Sequence, residues 1–415
     1  MQARLTCVFG LAVFVGIAWA VSSNRKAFPV RVVLGGLFLQ ITLGFLVLRT
    51  PWGQLLFEQI GAGVTTLLSF VDEGSSFVFD VHPRQTDPAD DVIPAQYTLL
   101  RTFAFGVLPT VIFFSSLMSV LYHIGVMQWV VYAMAWVMQR TLGTSGPETL
   151  SAAANVFVGH TEAPLVVKPY LATMTRSELN ALMTGGFATV TGGLLGAYVD
   201  MGINATHLIT ASVISAPAAL LIAKVMLPET ARPKSADELR LPTDKASVNV
   251  IGAAVQGASD GLKLALNVGA MLIAFLALIA LCNAVLIGLT GISLETVLGY
   301  AFSPLAWCMG IPAEESVAAG RFIGIKTVAN EFIAYLQLGE MPIGEAGCPI
   351  SERTKTILTY ALAGFSNFGA IGIQVGGIGG LEPSRKDDLA KLGLKAMFGG
   401  LLACCMTGAI AGMML

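Results

Sequence analysis

Long apolar runs separated by short polar segments dominate this chain. A helix needs about 20 mainly apolar residues to cross the hydrocarbon core of a bilayer. Runs of that length lie near residues 4–22, 31–49, 102–124, 177–200, 206–227, 266–290, 356–380 and 393–414. The pattern therefore predicts an all-α polytopic membrane protein with eight transmembrane helices.

Two further stretches, residues 51–75 and 247–264, mix glycine and polar residues with apolar ones. Because they are only weakly amphipathic, we expect helices that lie along the membrane interface there. Arg25 and Lys26 follow the first apolar run, which places its end in the cytoplasm. We therefore expect a retained first helix and not a cleaved signal peptide. Eight crossings then leave both termini outside.

Two interrupted apolar stretches, residues 126–173 and 294–337, differ from the spans. Each carries polar residues and prolines near its middle. Each also lies between spans whose orientation requires the chain to return to the side from which it came. We expect two re-entrant helical hairpins, with tips at residues 155–164 and 327–332.

A short repeated pattern follows each hairpin. Gly186-Phe187 lies in the middle of the span after the first hairpin, and Gly364-Phe365 lies in the middle of the span after the second. Glycine and polar residues interrupt a helix there, and the freed backbone groups must be satisfied by protein, water or ligand. Hairpin, broken helix and helix thus occur twice in opposite orientation. This order is typical of transporters with inverted repeats and a binding site near the bilayer midplane.

Composition agrees with a membrane protein and limits its partners. Of the 415 residues, 55% are hydrophobic and 12% are charged, whereas about 25% are charged in a typical soluble domain. Membrane lipid is therefore the expected environment. The net charge of −2 argues against nucleic acid as a partner. The six cysteines have no CxxC spacing, so neither a disulfide framework nor a zinc site is expected.

Each hairpin tip carries one carboxylate into an apolar stretch, Glu162 in the first and Glu331 in the second. A carboxylate at bilayer depth is costly unless it is paired or hydrated. Either the tips lie shallow and both side chains are solvated, or both face a polar cavity and accept hydrogen bonds from a neutral solute. Asn367 in the second broken helix adds an amide that donates and accepts. An anionic solute would be repelled.

Neutral oxygen atoms near the first tip suit a small cation. Asn155 and Thr189, with carbonyl groups of the unwound backbone, are ligands that an alkali cation prefers. His160 could donate, accept or titrate, and its position beside Glu162 favours contact with the solute. The other histidines are scattered along the chain, so a metal cluster is not expected.

At these motifs the sequence resembles the concentrative nucleoside transporters, from about Leu11 to the C-terminus. The likeness lies in the two hairpin tips, the second break and two apolar segments. These are residues 159–164, 328–332, 364–367, 105–110 and 264–274. The resemblance implies a homotrimer in which each protomer has a scaffold and a moving transport domain. It also implies that a cation gradient drives uptake of a nucleoside, such as uridine, by an elevator-like movement.

The resemblance also assigns roles to individual residues. It implies a substrate site formed by the first tip, the second tip and the second break. The residues for the base are His160, Thr161 and Glu162, with Leu194 beside it. Glu331 and Asn367 hold the ribose hydroxyls, and Phe365 packs against the substrate. It further implies a sodium site at the first tip and first break. Its ligands are Asn155, Thr189 and the carbonyl groups of Val158 and Val190.

Three positions depart from the family pattern. His160 stands where the tip commonly has glutamine, which changes the groups offered to the base or adds pH dependence. Gly369 and Ala370 stand where the family often has two serines, so one hydroxyl facing the ribose is missing or replaced by water. Thr189 keeps a hydroxyl at the cation site. This favours sodium as the coupling ion, with a proton as the alternative.

The resemblance and the order of the repeats predict a division of the chain. Residues 1–125 are N-terminal scaffold and interfacial helices, 126–228 the first repeat of the transport domain, 247–292 an interfacial and a scaffold helix, and 293–415 the second repeat. The length is like that of bacterial members, so the bacterial inner membrane is the expected location.

Two other functional classes would share some of these sequence features with a transporter. An intramembrane enzyme could use the two tip carboxylates as acid and base, but no nucleophile or metal ligand accompanies them in the sequence. A passive channel or a receptor for a small polar solute would share the apolar composition. The repeated broken helices favour a secondary active transporter, and no enzymatic activity is expected.

Overall fold

The computed structural model describes residues 2–79, 104–105, 108–160, 162–231, 247–343 and 348–415, which contain helices but no β-strand. In the first half of the chain the α-helices are α1 (Gln2–Ala20), α2 (Val30–Arg49), α3 (Pro51–Phe79), α4 (Leu108–His123), α5 (Val126–Leu142), α6 (Gly146–Asn155), α7 (Ala163–Val166), α8 (Arg176–Ala188), α9 (Gly192–Asp200) and α10 (Ala205–Met226). In the second half they are α11 (Val250–Thr290), α12 (Leu294–Cys308), α13 (Ala313–Val328), α14 (Glu331–Gly339), α15 (Glu352–Leu362), α16 (Phe368–Leu381) and α17 (Lys386–Met414). Short 3-10 helices cover Lys168–Tyr170 and Pro383–Arg385.

The predicted all-α membrane fold is confirmed. Within the described part of the chain, seven helical segments are long and apolar enough to cross a membrane, and α4 with α5, bent by 77°, brings the number to eight. α3 is among the seven, whereas the sequence predicts an interfacial helix at residues 51–75. The predicted span 356–380 consists of two shorter helices, α15 and α16, as expected for a broken helix. Where each helix lies relative to the bilayer stays a prediction.

The separate interfacial helix predicted at residues 247–264 is wrong, because α11 runs without a break over 41 residues. Small residues at four-residue spacing are buried along one of its faces. They are Ala253, Gly257, Gly261 and Ala265. α4 packs closely on this stripe, where a Cβ on Gly257 would lie 2.6 Å from the carbonyl oxygen of Ser115. The glycines that made the segment look interfacial therefore form a helix–helix contact.

Each predicted hairpin stretch contains one helix more than expected. α5 and α12 are separate helices that precede the hairpins, which consist of α6 with α7 and of α13 with α14. Gly143 and Gly310, with φ of 72° and 83°, follow α5 and α12. Pro147 and Pro312 then lie at the start of the next helices. A left-handed glycine after one helix and a proline before the next explain both boundaries.

Both predicted broken helices are confirmed. The first is α8 with α9, interrupted at residues 189–191, and the second is α15 with α16, interrupted at residues 363–367. Thr191 caps α9 by accepting a hydrogen bond from the Gly193 N–H at 3.3 Å. Asn367 caps α16 in the same way, and its side-chain oxygen accepts from the backbone of the third residue of α16 at 2.8 Å. The second half of each broken helix therefore starts with its own cap.

The helices pack in two groups. α17 packs against α1, α8, α10, α15 and α16, while α10 packs against α2 and α8. α4 instead packs mainly against α11, and this pair meets the rest chiefly through the contact of α4 with α9. The hairpins and broken helices thus form one packed body together with α1, α2, α10 and α17, and the α4–α11 pair lies along its side.

A buried charged network fixes the start of the first hairpin in this body. The ammonium of Lys224 on α10 lies 2.6 Å from a carboxylate oxygen of Glu148 on α6 and 3.3 Å from one of Glu229. It also donates to the hydroxyl of Ser177 on α8 at 2.9 Å. The side chains of Lys224 and Glu148 are only 4% and 2% exposed. The ion pair therefore joins α6, α8 and α10 away from solvent.

We expect Lys224→Met to lower the melting temperature of the purified protein strongly. The substitution leaves the Glu148 carboxylate buried without its partner, which costs about 3–5 kcal/mol. Combining it with Glu148→Gln removes the orphan charge and should restore part of the loss. Lys391→Met, at an exposed position on α17, is the control. Scanning fluorimetry measures all three variants, and an unchanged melting temperature for Lys224→Met would contradict the stabilising role of the pair.

Candidate functional site

The tip of the first hairpin is held against the break between α8 and α9. The Gly192 N–H donates to the carbonyl oxygen of Phe157 at 2.9 Å, and the Thr191 hydroxyl donates to that of Val158 at 3.3 Å. Gly159 has a φ of 81°, and a Cβ there would lie 2.6 Å from the Cβ of Thr191. Both the backbone conformation and the space therefore require glycine at this position.

Asn155 ends α6 beside this break and lacks partners. The residue is 1% exposed, and neither its amide nitrogen nor its oxygen makes a hydrogen bond to a described residue. A Cβ on Gly185, in the last turn of α8, would lie 3.1 Å from the amide nitrogen. Thr189 donates its hydroxyl to the Gly185 carbonyl at 2.9 Å, and Val190 is buried in the break. Because a buried amide without partners is costly, this region has unused capacity to bind a ligand.

The four residues predicted to bind a cation lie at the end of α6, in the first tip and in the first break. Asn155 is the last residue of α6, Val158 lies in the tip, and Thr189 and Val190 lie in the break. The hydrogen bond from Thr191 to Val158 and the approach of Asn155 to Gly185 join these parts of the chain. The donor groups are neutral oxygen atoms, which suit a monovalent cation that must also be released.

Glu331 is the first residue of α14, where the helix dipole favours a carboxylate. The residue is buried, with 3% of its surface exposed. Tyr198 on α9 donates its hydroxyl to Oε1 of Glu331 at 3.1 Å, and Asn367 donates its side-chain amide to Oε2 at 3.2 Å. One group from each broken helix thus holds the carboxylate of the second hairpin.

His160 and Phe365 extend this cluster to the first hairpin. Their ring centroids lie 4.6 Å apart with an angle of 60° between the rings. Both ring nitrogens of His160 are buried and have no hydrogen-bond partner among the described residues. Gly186 leaves the room for this histidine, because a Cβ there would lie 2.6 Å from the Cβ of His160. His160 therefore offers two unused polar atoms beside a ring that is two residues from Asn367.

Glu162 lies outside this cluster. Its side chain is exposed and lines a cavity of about 280 Å³ between the first hairpin, α4 and α11. Asp260 on α11 lines the same cavity, whereas Glu331 is not among the described residues around it. The volume is close to the lower end of the about 300–1,000 Å³ that is typical of small-molecule sites. The structure thus does not bring the two tip carboxylates to one cavity. Thr161 lies outside the described residues.

Gly369 and Ala370, which stand where the family often has two serines, provide no hydroxyl beside Asn367. A Cβ on Gly369 would lie 3.0 Å from the terminal methyl carbon of Met271 on α11. Ala370 is 2% exposed, and its N–H donates to the side-chain oxygen of Asn367, which caps α16. Part of the space that a serine at position 369 would use is therefore occupied by Met271.

Sequence reasoning missed Tyr198, Ser366 and Gln374. The hydroxyl of Ser366 and the side-chain oxygen of Gln374 are buried without a partner in the described part of the chain. Leu194, predicted beside the base, is buried one helical turn before Tyr198. A tyrosine within an apolar span was an available signal, because its hydroxyl needs a partner when buried. Nothing comparable singled out Ser366 or Gln374.

Known sequence families and solved structures match this chain along its whole length. The family model described as Na+ dependent nucleoside transporter C-terminus matches residues 207–412, and that of the N-terminus matches residues 9–81. A third, described as Nucleoside recognition, matches residues 104–205. CNTnw, solved in an inward-facing substrate-bound state, is 41% identical with a TM-score of 0.90 over 99% of this chain and 98% of that one. The chain belongs to the concentrative nucleoside transporter family.

Individual relatives of this transporter agree with that membership. An uncharacterized transporter of Haemophilus influenzae is 42% identical over 99% of this chain and 97% of its own length. Sodium/nucleoside cotransporter 1 of Homo sapiens is 41% identical, but the match covers 98% of this chain and only 63% of the human protein. The family consists of nucleoside transporters and not of enzymes. The predicted family and the absence of an enzymatic role are therefore confirmed.

We expect Glu331→Gln to reduce nucleoside binding about a hundredfold or more. The glutamine keeps the size of the side chain, but it loses charge-assisted hydrogen bonds worth about 1.5–3 kcal/mol each. Glu314→Gln, at an exposed position at the start of α13, is the matched control. Calorimetric titration of uridine into monodisperse protein measures the effect. A Kd that stays at the wild-type value would exclude Glu331 from the substrate site.

Proposed function

We propose that this protein is a sodium-coupled nucleoside symporter that takes up its substrate by an elevator-like movement. The main support is a buried polar cluster formed by residues of both repeats, together with the unpartnered amide of Asn155 at the end of α6. The cluster presents hydrogen-bonding groups to a neutral solute, and the amide faces a region lined by neutral oxygen ligands. Membership in a family with sodium-dependent members supports sodium as the coupling ion and a nucleoside as the substrate.

The nucleoside is held from its two ends in this proposal. Glu331 accepts hydrogen bonds from the ribose hydroxyls, and Asn367 donates to them or accepts from them. The two side chains already lie together, with the amide nitrogen of Asn367 3.2 Å from Oε2 of Glu331. Phe365 packs against the substrate on the side that faces His160. His160, Thr161 and Glu162 contact the base, with Leu194 beside it. The two unpartnered ring nitrogens of His160 support that role.

The contact of Glu162 with the base requires a change from the described conformation. In that conformation the carboxylate faces the cavity at α4 and α11, away from the cluster of Glu331. The cavity therefore represents an access route in this proposal, and the tip of the first hairpin closes over the base when the substrate binds. Such local closure around a ligand is common in binding sites formed by mobile segments.

Sodium binds between the end of α6 and the first break. Asn155 and Thr189 supply side-chain oxygens, and Val158 and Val190 supply carbonyl oxygens. The unpartnered amide of Asn155 supports this assignment, because a cation satisfies its oxygen. A proton is the alternative coupling ion. The set of neutral oxygen donors favours sodium, since it contains no group that titrates near neutral pH.

The elevator movement separates the two packed groups of helices. In this proposal the body of hairpins and broken helices slides along the α4–α11 pair, which stays fixed as the scaffold. In this proposal the segment 1–125, predicted as scaffold, is divided, because α1 and α2 contact α10 and α17. We therefore place these two helices of the segment 1–125 in the moving body. The repeats at residues 126–228 and 293–415 remain its core.

A homotrimer in the bacterial inner membrane completes the proposal. α11 carries large apolar side chains on its outer face, with Ile273 75% and Leu289 80% exposed in the single chain. Such a surface must meet lipid or another subunit. The near-complete matches to bacterial transporters support the location.

Uridine uptake into proteoliposomes tests the function, with sodium, potassium and proton gradients imposed separately. We expect saturable accumulation only with an inward sodium gradient. One cation crossing 100 mV contributes about 2.3 kcal/mol, enough for about fortyfold accumulation. Uptake driven by the proton gradient alone would support the alternative coupling ion. Flux without saturation or counterflow would indicate a passive channel and reject the symporter.

Asn155→Ala should raise the sodium concentration needed for half-maximal uptake about tenfold or more. It removes one side-chain ligand of the cation, a loss comparable to a hydrogen bond to a charged group of about 1.5–3 kcal/mol. Asn180→Ala, which changes a fully buried asparagine of α8, is the matched control. Uptake is measured over a sodium series at saturating uridine. An unaltered half-saturating concentration would place the cation elsewhere.

A further inference from the structure

The two repeats contain the same junction. In each, the first arm of the hairpin packs against the first half of the broken helix, α6 against α8 and α13 against α15. All four of these helices end near this contact, at residues 155, 188, 328 and 362. The last carbonyl groups of a helix lack intrahelical partners, and the helix dipole is negative there. Within a bilayer, such an end needs a donor or a cation.

The second repeat supplies a lysine at this junction. Lys326 lies in the last turn of α13 and has no exposed surface. Its ammonium donates to the carbonyl oxygen of Ala361 at 2.9 Å, one residue before the end of α15. No carboxylate of the described residues lies within ion-pair distance of it. The fixed charge is therefore directed at the helix end.

The first repeat has no basic residue in the corresponding turn of α6. Asn155 is there instead, and its amide is buried without a partner in the described part of the chain, beside Gly185 in the last turn of α8. This is the place assigned to sodium under the proposed function. The two junctions thus differ in one group. The ammonium of Lys326 occupies the second junction, whereas the first contains the neutral amide of Asn155 and no cationic side chain in the last turn of α6.

We propose that Lys326 is a tethered substitute for a second coupling cation. Its ammonium occupies in the second repeat the place that sodium takes in the first, so each nucleoside is carried with one sodium. This inference rests on the proposed function and adds the coupling ratio. The charges agree with it, since the tip carboxylates Glu162 and Glu331 are matched by one fixed and one diffusible cation.

The charge carried per nucleoside by the wild-type protein is the first test. It is obtained in proteoliposomes from the membrane potential at which net uridine flux stops under known sodium and uridine gradients. We expect one charge and one sodium per uridine. A ratio of two would overturn the inference while leaving sodium-coupled transport intact. Absence of any sodium-driven uptake would instead reject the proposed function itself, so the two failures are distinguishable.

Variants at position 326 test whether the ammonium acts as a cation. Lys326→Met keeps the shape without the charge, and we expect uptake to fall about hundredfold, as for a buried site that loses its compensating charge. Lys326→Arg should retain transport with a ratio of one. Lys391→Met controls for loss of an exposed lysine, and size-exclusion chromatography checks that each variant is folded. Wild-type uptake and sodium dependence in Lys326→Met would overturn the inference.

Lys326→Ser distinguishes a cation substitute from a residue that only stabilises the fold. The short side chain opens space at the Ala361 carbonyl and leaves a hydroxyl ligand for a second sodium. We expect its uptake to recover at high sodium, the Hill coefficient for sodium to rise from one toward two, and the charge per uridine to rise from one to two. A ratio that stays at one, or no recovery at high sodium, would reject the proposal that Lys326 replaces a second sodium ion. If neither uncharged variant folds, the wild-type ratio alone decides.

Discussion

Backbone groups that leave a helix inside a bilayer must be satisfied without bulk water, and the architecture of this transporter depends on that constraint. Both broken helices leave such groups near the middle of the protein. Asn367 illustrates the solution, because one amide caps α16 through its oxygen and holds Glu331 through its nitrogen. The polar interior is therefore a consequence of the breaks and not an addition to them.

The same constraint explains why the hairpins must reach so deeply into the body. The first tip accepts two hydrogen bonds from the break between α8 and α9, and Gly159 permits the close approach. The second tip is capped by Asn330, whose side-chain oxygen accepts from the backbone of α14 at 2.9 Å. Each hairpin thus completes the hydrogen bonding of its own repeat. In the proposed function, the cation and the base of the nucleoside supply partners for the unpartnered groups of Asn155 and His160.

Features that stand out against an apolar background could be predicted from the sequence. The tips with Glu162 and Glu331, the Gly-Phe breaks, and Asn155 and Thr189 all place polar groups or glycine where a plain span has none. The limits of α11 could not be predicted from the same signal, because a stripe of small residues looks weakly amphipathic whether it faces a membrane surface or another helix. Only the position of α4 distinguishes the two cases.

The contacts between the two repeats could not be predicted from the sequence either. Tyr198 and Glu331 are 133 positions apart, and no periodicity relates them. The direction in which the side chain of Glu162 points could not be predicted from the sequence either. It depends on the backbone conformation of the tip, which decides whether the side chain faces the cluster or the cavity. The likeness to a family identifies such residues, while their relative placement depends on how the two repeats pack.

Helix α9 joins the two ligands of the proposed mechanism in one rigid piece. Its first turn is capped by Thr191 at the tip that borders the cation region, and Tyr198 near its other end holds the carboxylate for the ribose. At about 1.5 Å per residue, its nine residues form a short rod. A cation that orders the break therefore also positions the phenol hydroxyl. Thermodynamic linkage then requires reciprocity: the nucleoside must tighten the binding of the cation by the same factor by which the cation tightens the binding of the nucleoside.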